Sequence, residues 1–308
     1  MKIVIPDKID VNQQSRKKLD TLSDIKIFDD IINDPKVIIE RIGDAEIVTA
    51  NFIDLTKEII ESCSNLKYII SPAVGYDWID SDAATNKGIK ILNCPTFNTQ
   101  AVAEHAIALM FAIMRKILNA NKSILNGKFD SMEFIGTEVS GKTLVTVGKG
   151  NIGSKILKMA SGLGMKTDYI DSQTSSQEFK SKISQADVLV IAVPLNGQTK
   201  GLIDRDVLSF LKPTAILINV ARGLIVDQDA LYEVLINNKI AGAGIDVFPK
   251  DETIKETNDQ IMKFAKLSNV VATPHMAFNT QESVERLGEE LIDDLESCLS
   301  GSPINVVN

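Results

Sequence analysis

Residues 143–147, Thr-Leu-Val-Thr-Val, run directly into Gly148-Lys-Gly150-Asn-Ile-Gly153, and the segment beyond places Ile156, Leu157, Ala160 and Leu163 on one helical face. A strand, a glycine turn and a helix in that order suit a dinucleotide. Gly148 permits the tight turn, Gly150 lets the backbone approach a pyrophosphate, and Gly153 lets the helix pack on the strand. Phosphate then meets the N–H groups at the helix start. Asp171, about 20 residues further on at the end of the next expected strand, can accept hydrogen bonds from an adenosine ribose, which favours NAD over NADP. Asp168 is the competing carboxylate, but it lies inside that strand and points elsewhere.

The turn sits within a longer alternation. Runs at 143–147, 167–170, 188–193, 215–219, 242–247 and 270–273 read as strands separated by helical segments, a doubly wound parallel pattern. Before it, runs at 2–5, 46–49, 68–71 and 89–92 alternate with amphipathic stretches and predict a second, smaller parallel α/β sheet. A long helix starting near Thr99, with Ala101, Val102, Ala106, Leu109, Met110 and Ile113 on a wide apolar face, stands between the two. Residues 119–142 read as a polar, glycine-containing stretch. A last helix carries Val284, Leu287, Leu291, Leu295 and Cys298 at spacings of three and four, and Gly301 and Pro303 end it. At 308 residues the chain has room for two domains.

Charge and cysteine content narrow the function classes. A net charge of -8, without a Lys/Arg run interleaved with aromatics, argues against a surface built to neutralise nucleic-acid phosphates, so no nucleic-acid partner is expected. The three cysteines, Cys63, Cys94 and Cys298, are too far apart in sequence for a Cys-x-x-Cys pair; they suggest neither a disulfide framework nor a metal site, and fit a reducing cytoplasm. The opening Met-Lys-Ile-Val-Ile-Pro reads as a buried strand, unlike a signal peptide. The apolar stretch 106–114 stops at Arg115, well short of the roughly 20 residues that span a bilayer, so no membrane partner is expected.

Only two histidines compete for the role of proton donor. His105 lies inside the apolar helix beside Glu104 and reads as a packed, hydrogen-bonded residue. His275 follows Val270-Val-Ala-Thr-Pro274, at the carboxyl end of an expected parallel strand, where open α/β sheets place their ligands. Arg222 also follows a strand end, where its guanidinium can grip a carboxylate through two parallel bonds. Asp246 closes the expected strand 242–247, and Asp251 and Glu252 follow in the next loop, which on its own also reads as a solvated acidic run.

Several stretches resemble the D-isomer-specific 2-hydroxyacid dehydrogenases. They are the glycine turn, Val74-Gly-Tyr-Asp-Trp-Ile-Asp80, Asn98-Thr-Gln-Ala-Val-Ala-Glu-His105, Gly141-Lys-Thr-Leu144, Val193-Pro-Leu195, Thr199-Lys-Gly-Leu-Ile203, Leu211-Lys-Pro213, Ile218-Asn-Val-Ala-Arg-Gly223, Ala241-Gly-Ala-Gly-Ile-Asp-Val-Phe248, Thr273-Pro-His275 and Asn305-Val-Val-Asn308. The resemblance covers nearly the whole chain. It implies a Rossmann NAD-binding domain (99–276) inserted into a smaller flavodoxin-like substrate domain (1–98 and 277–308), with the active site in the cleft.

By the same resemblance, Arg222 binds the carboxylate and carbonyl oxygen of a small 2-hydroxy or 2-keto acid. His275 exchanges the proton on that oxygen, and an acid five places after Asp246 pairs with the histidine. The backbone amides of Val74 and Gly75 also hold the carboxylate. Asp246 faces the nicotinamide amide, and Asn151, Ile152, Pro194, Thr199, Val220 and Ala221 touch the cofactor. A homodimer is implied, with the long helix and residues 119–142 at its interface.

The family's usual glutamate followed by proline is here Asp251, then Glu252 and Thr253. Asp251 is shorter by one methylene, so Glu252 is the alternative partner. Met276-Ala-Phe278 stands where many relatives carry smaller residues, and Phe278 either lines the substrate pocket or simply packs. Relatives that bind NADH as regulators of protein partners give the alternative function; Arg222, His275 and an acid together favour the enzyme. Relatives acting on formate tend to carry glutamine where Asp251 stands. The motifs do not choose among lactate, glycerate, glyoxylate, hydroxypyruvate, phosphoglycerate and branched acids.

Overall fold

The computed structural model describes residues 1–22, 24–249 and 257–308, and the chain divides into two compact units. Met1–Asn98 with Asn279–Asn308 forms the first, and Thr99–Phe278 the second.

Among the described residues the first unit holds β1 (Ile3–Ile5), β2 (Ile25–Ile27), β3 (Ile47–Thr49), β4 (Tyr68–Ser71) and β5 (Lys90–Asn93), all parallel, in the order β2-β1-β3-β4-β5. That is the flavodoxin-like order. The sequence reading lacked β2, a half-exposed edge strand of three residues with Lys26 at its centre. The helix Gln281–Leu299 returns to this unit and buries Leu287, Leu291, Leu295 and Cys298, the apolar spacing noted in the sequence. Beyond it the chain closes the β5 edge: Val306 bridges Leu92, and Asn308 Oδ1 accepts the Ile91 amide at 2.7 Å.

The second unit holds β6 (Thr143–Val147), β7 (Lys166–Ile170), β8 (Val188–Ile191), β9 (Ile216–Asn219), β10 (Gly242–Ile245) and β11 (Val270–Ala272), again all parallel, in the order β11-β10-β9-β8-β6-β7. Alternate side chains feed opposite layers, as the strand period requires. Leu144, Val188, Val190, Ile216 and Ile218 pack with Val102, Ala106, Leu109, Ile156 and Ala160 on one face. Val145, Leu189, Ile191, Leu217 and Ile245 pack with Ile183, Leu208, Leu231 and Phe264 on the other. Helices on both faces make the sheet doubly wound.

Three strands end earlier than the sequence reading placed them. Val193, Asp246 and Thr273 therefore lie beyond the last residues of β8, β10 and β11, where the chain leaves the ladder. Part of the stretch read as polar, 119–142, belongs to a separate helix, Ile117–Leu125, that buries none of its side chains.

Close approach of the long helix Thr99–Met114 to β10 depends on a missing side chain. A Cβ on Gly244 would come within 2.8 Å of Ile218 Cδ1 and 3.0 Å of Leu109 Cβ. His105, one helical turn before Leu109, is thereby carried over the carboxyl ends of β10 and β11.

Candidate active site

Because the six described strands of the second unit are parallel, the loops that follow them open on the same edge of the sheet. That edge gathers the glycine turn after β6, Asp171 after β7, Pro194 and Thr199 after β8, Val220, Ala221 and Arg222 after β9, Asp246 after β10, and His275 after β11. The connection reverses direction between β6 and β8, the switch point at which such sheets bind ligands.

The glycine turn fits a dinucleotide residue by residue. Gly148 has φ +104, and a Cβ there would collide with the Ala192 carbonyl. A Cβ on Gly153 would collide with the Gly148 carbonyl. Gly150 differs: a Cβ there meets nothing within 4 Å, so packing within the protein does not demand glycine. The open space beside it leaves room for a ligand. Gly150 is also the N-cap of the helix Asn151–Gly162, no side chain caps that helix, and no acid stands in its first turn, leaving the positive end of the dipole for an anion. These residues suit the pyrophosphate of a dinucleotide.

Gly148 N donates to Ile170 O at 2.7 Å, which sets Asp171 beside the turn. Asp171 Oδ1 accepts from the Gln173 amide (3.0 Å) and the Thr174 hydroxyl (3.1 Å), an Asx turn that fixes the carboxylate's direction. Asp168, the competing carboxylate, is held by Lys182 Nζ at 2.8 Å. After β8, the Thr199 hydroxyl donates to Pro194 O at 2.6 Å and closes the loop that carries both residues.

Arg222 is placed by its neighbours. Buried Asn219 accepts the Ala221 amide at 3.1 Å and donates to Arg222 O at 3.0 Å. A Cβ on Gly223 would strike the backbone of Phe248 and Pro249, so glycine lets this loop lie against the segment after β10. Arg222 Nη1 donates to Ala221 O at 2.9 Å.

Asp246 organises the histidine turn. Its side chain is 1% exposed. Oδ1 accepts from the Thr273 hydroxyl (2.6 Å) and the Met276 amide (3.0 Å), and Oδ2 from the Ala277 amide (3.0 Å). The His275 amide donates to Asp246 O at 2.8 Å. His275 itself adopts φ +48, a conformation that residues with side chains rarely take, and these bonds hold it there. Burial pushes the Asp246 carboxyl up, but bonds from His105, Thr273, Ala277 and Met276 outweigh it and hold it below the usual carboxylate range. It is an anion at neutral pH. The His275 and Phe278 rings meet edge to face with centroids 6.0 Å apart.

His105 is the packed, hydrogen-bonded helix residue that the sequence indicates, and the structure supplies its partners. Its Nε2 lies 3.0 Å from Thr273 Oγ1 and 3.4 Å from Asp246 Oδ1. An imidazole among Ala101, Val102, Ala106 and Leu109 needs a polar partner, and that need was the available signal. Asp251 and Glu252 lie outside the described residues.

In the first unit, the loop after β4 is pulled inward by its carbonyls. Ala73 O accepts the Cys94 amide (3.0 Å), Val74 O accepts Asn93 Nδ2 (2.7 Å), and Gly75 O accepts Ser71 Oγ (2.7 Å). In a trans peptide the N–H points opposite to the preceding C=O, so the Val74 and Gly75 amides face away from the sheet interior. Two adjacent outward N–H groups suit a carboxylate.

A glycine turn suited to a nucleotide, with Arg222 and His275 on the same sheet edge, is the layout of a Rossmann-type dinucleotide-binding unit. Residues 107–277 match the model of the D-isomer specific 2-hydroxyacid dehydrogenase, NAD binding domain. Over its full length the chain is 33% identical to a hydroxypyruvate reductase of Blautia hydrogenotrophica, and covers all of that protein. It superposes with TM-score 0.91 and 33% identity, over all of both chains, on an acyclic imino acid reductase solved with NADPH and D-Arg. A D-lactate dehydrogenase from Aquifex aeolicus, complexed with NAD and lactic acid, gives TM-score 0.84 and 28% identity over 97% of this chain and 96% of that one. The chain spans about half the length of two D-3-phosphoglycerate dehydrogenases it also matches. It belongs to the D-isomer-specific 2-hydroxyacid dehydrogenase family, NAD-dependent oxidoreductases that act on small 2-hydroxy and 2-keto acids.

Proposed function

We propose that the enzyme reduces a small 2-keto acid with NADH to the D-2-hydroxy acid, and that hydroxypyruvate is the first substrate to test. The observation that carries this reading is the shared carboxyl edge of β6 to β11, where an open glycine cradle, a guanidinium and an imidazole come together. The hydroxypyruvate reductase matched over the whole of both chains supports the choice of substrate. In this reading the first unit, residues 1–98 and 279–308, is the substrate domain and the second, 99–278, the cofactor domain, a boundary two residues later than the 276/277 expected from the resemblance.

The bound cofactor supplies a hydride to the carbonyl carbon, and the chain's own groups manage the charge that results. Arg222 grips the carboxylate and stabilises the anion developing on the carbonyl oxygen. His275, as imidazolium, gives that oxygen its proton. Asp251, with Glu252 as the alternative, pairs with His275 and favours its charged form. The Val74 and Gly75 amides hold the carboxylate's other side. Asn151 and Ile152 offer amides to the pyrophosphate, and Asp171 accepts from the adenosine ribose, where a 2′-phosphate would meet its negative charge. Pro194, Thr199, Val220, Ala221 and Asp246 serve the nicotinamide half. The test is NADH oxidation with a panel of 2-keto acids, run beside His275→Ala and repeated with NADPH. Turnover that prefers NADH and falls about a hundred- to ten-thousand-fold without His275 supports the reading; equal rates for the two proteins refute the proton donor.

The working form is a homodimer in the cytoplasm. Large apolar side chains cluster in one exposed stretch, Ile117, Leu118, Ile124, Leu125, Phe129, Met132 and Ile135, with Leu125 77% and Phe129 96% exposed. A patch of that kind marks a protein interface, and a second copy of the chain is the occupant implied by the family. The three cysteines are buried thiols, which suits a reducing compartment.

A further inference from the structure

The long helix Thr99–Met114 brings a second histidine to the rear of the turn that carries His275, and its hydrogen-bond arithmetic is fixed. Asp246 is an anion and can only accept. The Thr273 hydroxyl has one proton and gives it to Asp246 Oδ1 at 2.6 Å. Thr273 Oγ1 can then only accept from His105 Nε2, 3.0 Å away, so Nε2 carries a hydrogen. That N–H also lies 3.4 Å from Asp246 Oδ1. The same carboxylate takes the Met276 and Ala277 amides, and Asp246 O takes the His275 amide. A continuous path therefore runs from helix to hydroxyl to carboxylate to the two amides that follow His275, which is held at φ +48.

We propose that His105 is a positioning residue for His275, acting through Thr273 and Asp246 to hold the strained turn in the geometry needed for proton transfer. The proposal rests on the reading of His275 as proton donor. In this role His105, its side chain 17% exposed, acts through the carboxylate that orients the turn. Without its N–H, Thr273 and Asp246 lose the donor that fixes their rotamers, and the turn relaxes. A displacement of about 1 Å in a catalytic group can cost roughly a hundredfold.

Four variants test this. His105→Leu keeps bulk and removes the donor, whereas His105→Gln restores an N–H near the Nε2 position. Thr273→Val and Thr273→Ser do the same for the hydroxyl. We expect His105→Leu and Thr273→Val to lower kcat for 2-keto acid reduction about tenfold or more at saturating NADH, in protein that still unfolds cooperatively. His105→Gln and Thr273→Ser are expected to stay within about threefold of wild-type kcat. Equal kcat for Leu and Gln at position 105, whether both normal or both impaired, overturns the proposal. If His105→Leu does not fold, the Thr273 pair decides by the same criterion. His275→Ala, measured alongside, separates the two readings. If it is inactive while His105→Leu is normal, only the positioning role falls; if it is fully active, the proton donor falls and the positioning role with it.

Discussion

Gly150 offers the sharpest separation of folding from binding in this molecule. The other two glycines of the turn are needed by the protein itself, since a Cβ on Gly148 or Gly153 collides with main-chain carbonyls. A Cβ on Gly150 meets nothing within 4 Å, and its φ of -69° is open to any residue. Gly150→Ala therefore costs only the weaker N-cap preference of alanine, at most about 1 kcal/mol, or roughly 2–4 °C in the thermal midpoint of a domain this size. The methyl group nonetheless occupies the space through which a pyrophosphate reaches the helix amides. Losing one charge-assisted bond there costs about 1.5–3 kcal/mol, which raises the NADH dissociation constant roughly tenfold to a hundredfold. Fluorescence titration with NADH beside thermal unfolding measures both quantities on one preparation. Gly153→Ala serves as the contrast, expected to lose stability before any binding effect can be read. A Gly150→Ala protein that binds NADH like wild type would refute the placement of the pyrophosphate on this turn.

Other perturbations probe the remaining parts. Asp294, buried on the last helix, accepts Asn305 Nδ2 at 3.0 Å, and burial pushes its carboxyl up to about 7, with Glu290 and Asp293 adding to the rise. Its folded value exceeds the unfolded value of about 3.9, so the unfolded chain holds fewer protons between them and stability falls as pH rises from about 4 to 7. Asp294→Asn should thus stabilise at pH 8 by about 1–3 kcal/mol after allowance for solvent screening, and by less at pH 5; denaturant melts at the two pH values check this, and a pH-independent difference contradicts it. Arg222→Lys keeps the charge but loses the planar fork, and should lower kcat/KM roughly tenfold to a hundredfold; steady-state kinetics within threefold of wild type would count against a two-bond grip on the carboxylate. Leu125→Asp combined with Phe129→Asp should yield monomers by sedimentation while leaving NADH binding intact, because both side chains are mostly exposed in the single chain; an unchanged assembly would move the interface elsewhere.

Much of this architecture could be read from the chain because parallel strands end together. Once Val147, Asn219 and Val270-Val-Ala are recognised as strand residues, the positions just after them share one edge, and Gly148, Arg222 and His275 fall into place without distances. β2 escaped because Ile25-Lys-Ile27 gives only three residues of alternation at a sheet edge. The helix Ile117–Leu125 was blurred into a loop because none of its apolar side chains is buried within its own chain. His105 was legible only as a packed helix residue, since Thr273, its partner, lies 168 positions away. Gly242 and Gly244 in β10 hinted at the contact: small residues in a buried strand let a helix come near, yet nothing in the sequence says which one. The role of Asp246 as acceptor for two amides beyond His275 is likewise a property of the folded turn.

Transfer of deuterium from NADH labelled at C4 to hydroxypyruvate tests the central claim most directly. Wild-type protein should give a 2-hydroxy acid of D configuration with the label at C2, and His275→Ala should give almost none in the same time. Tight NADH binding with no labelled product from hydroxypyruvate, or from any other 2-keto acid tried, would contradict the proposed chemistry.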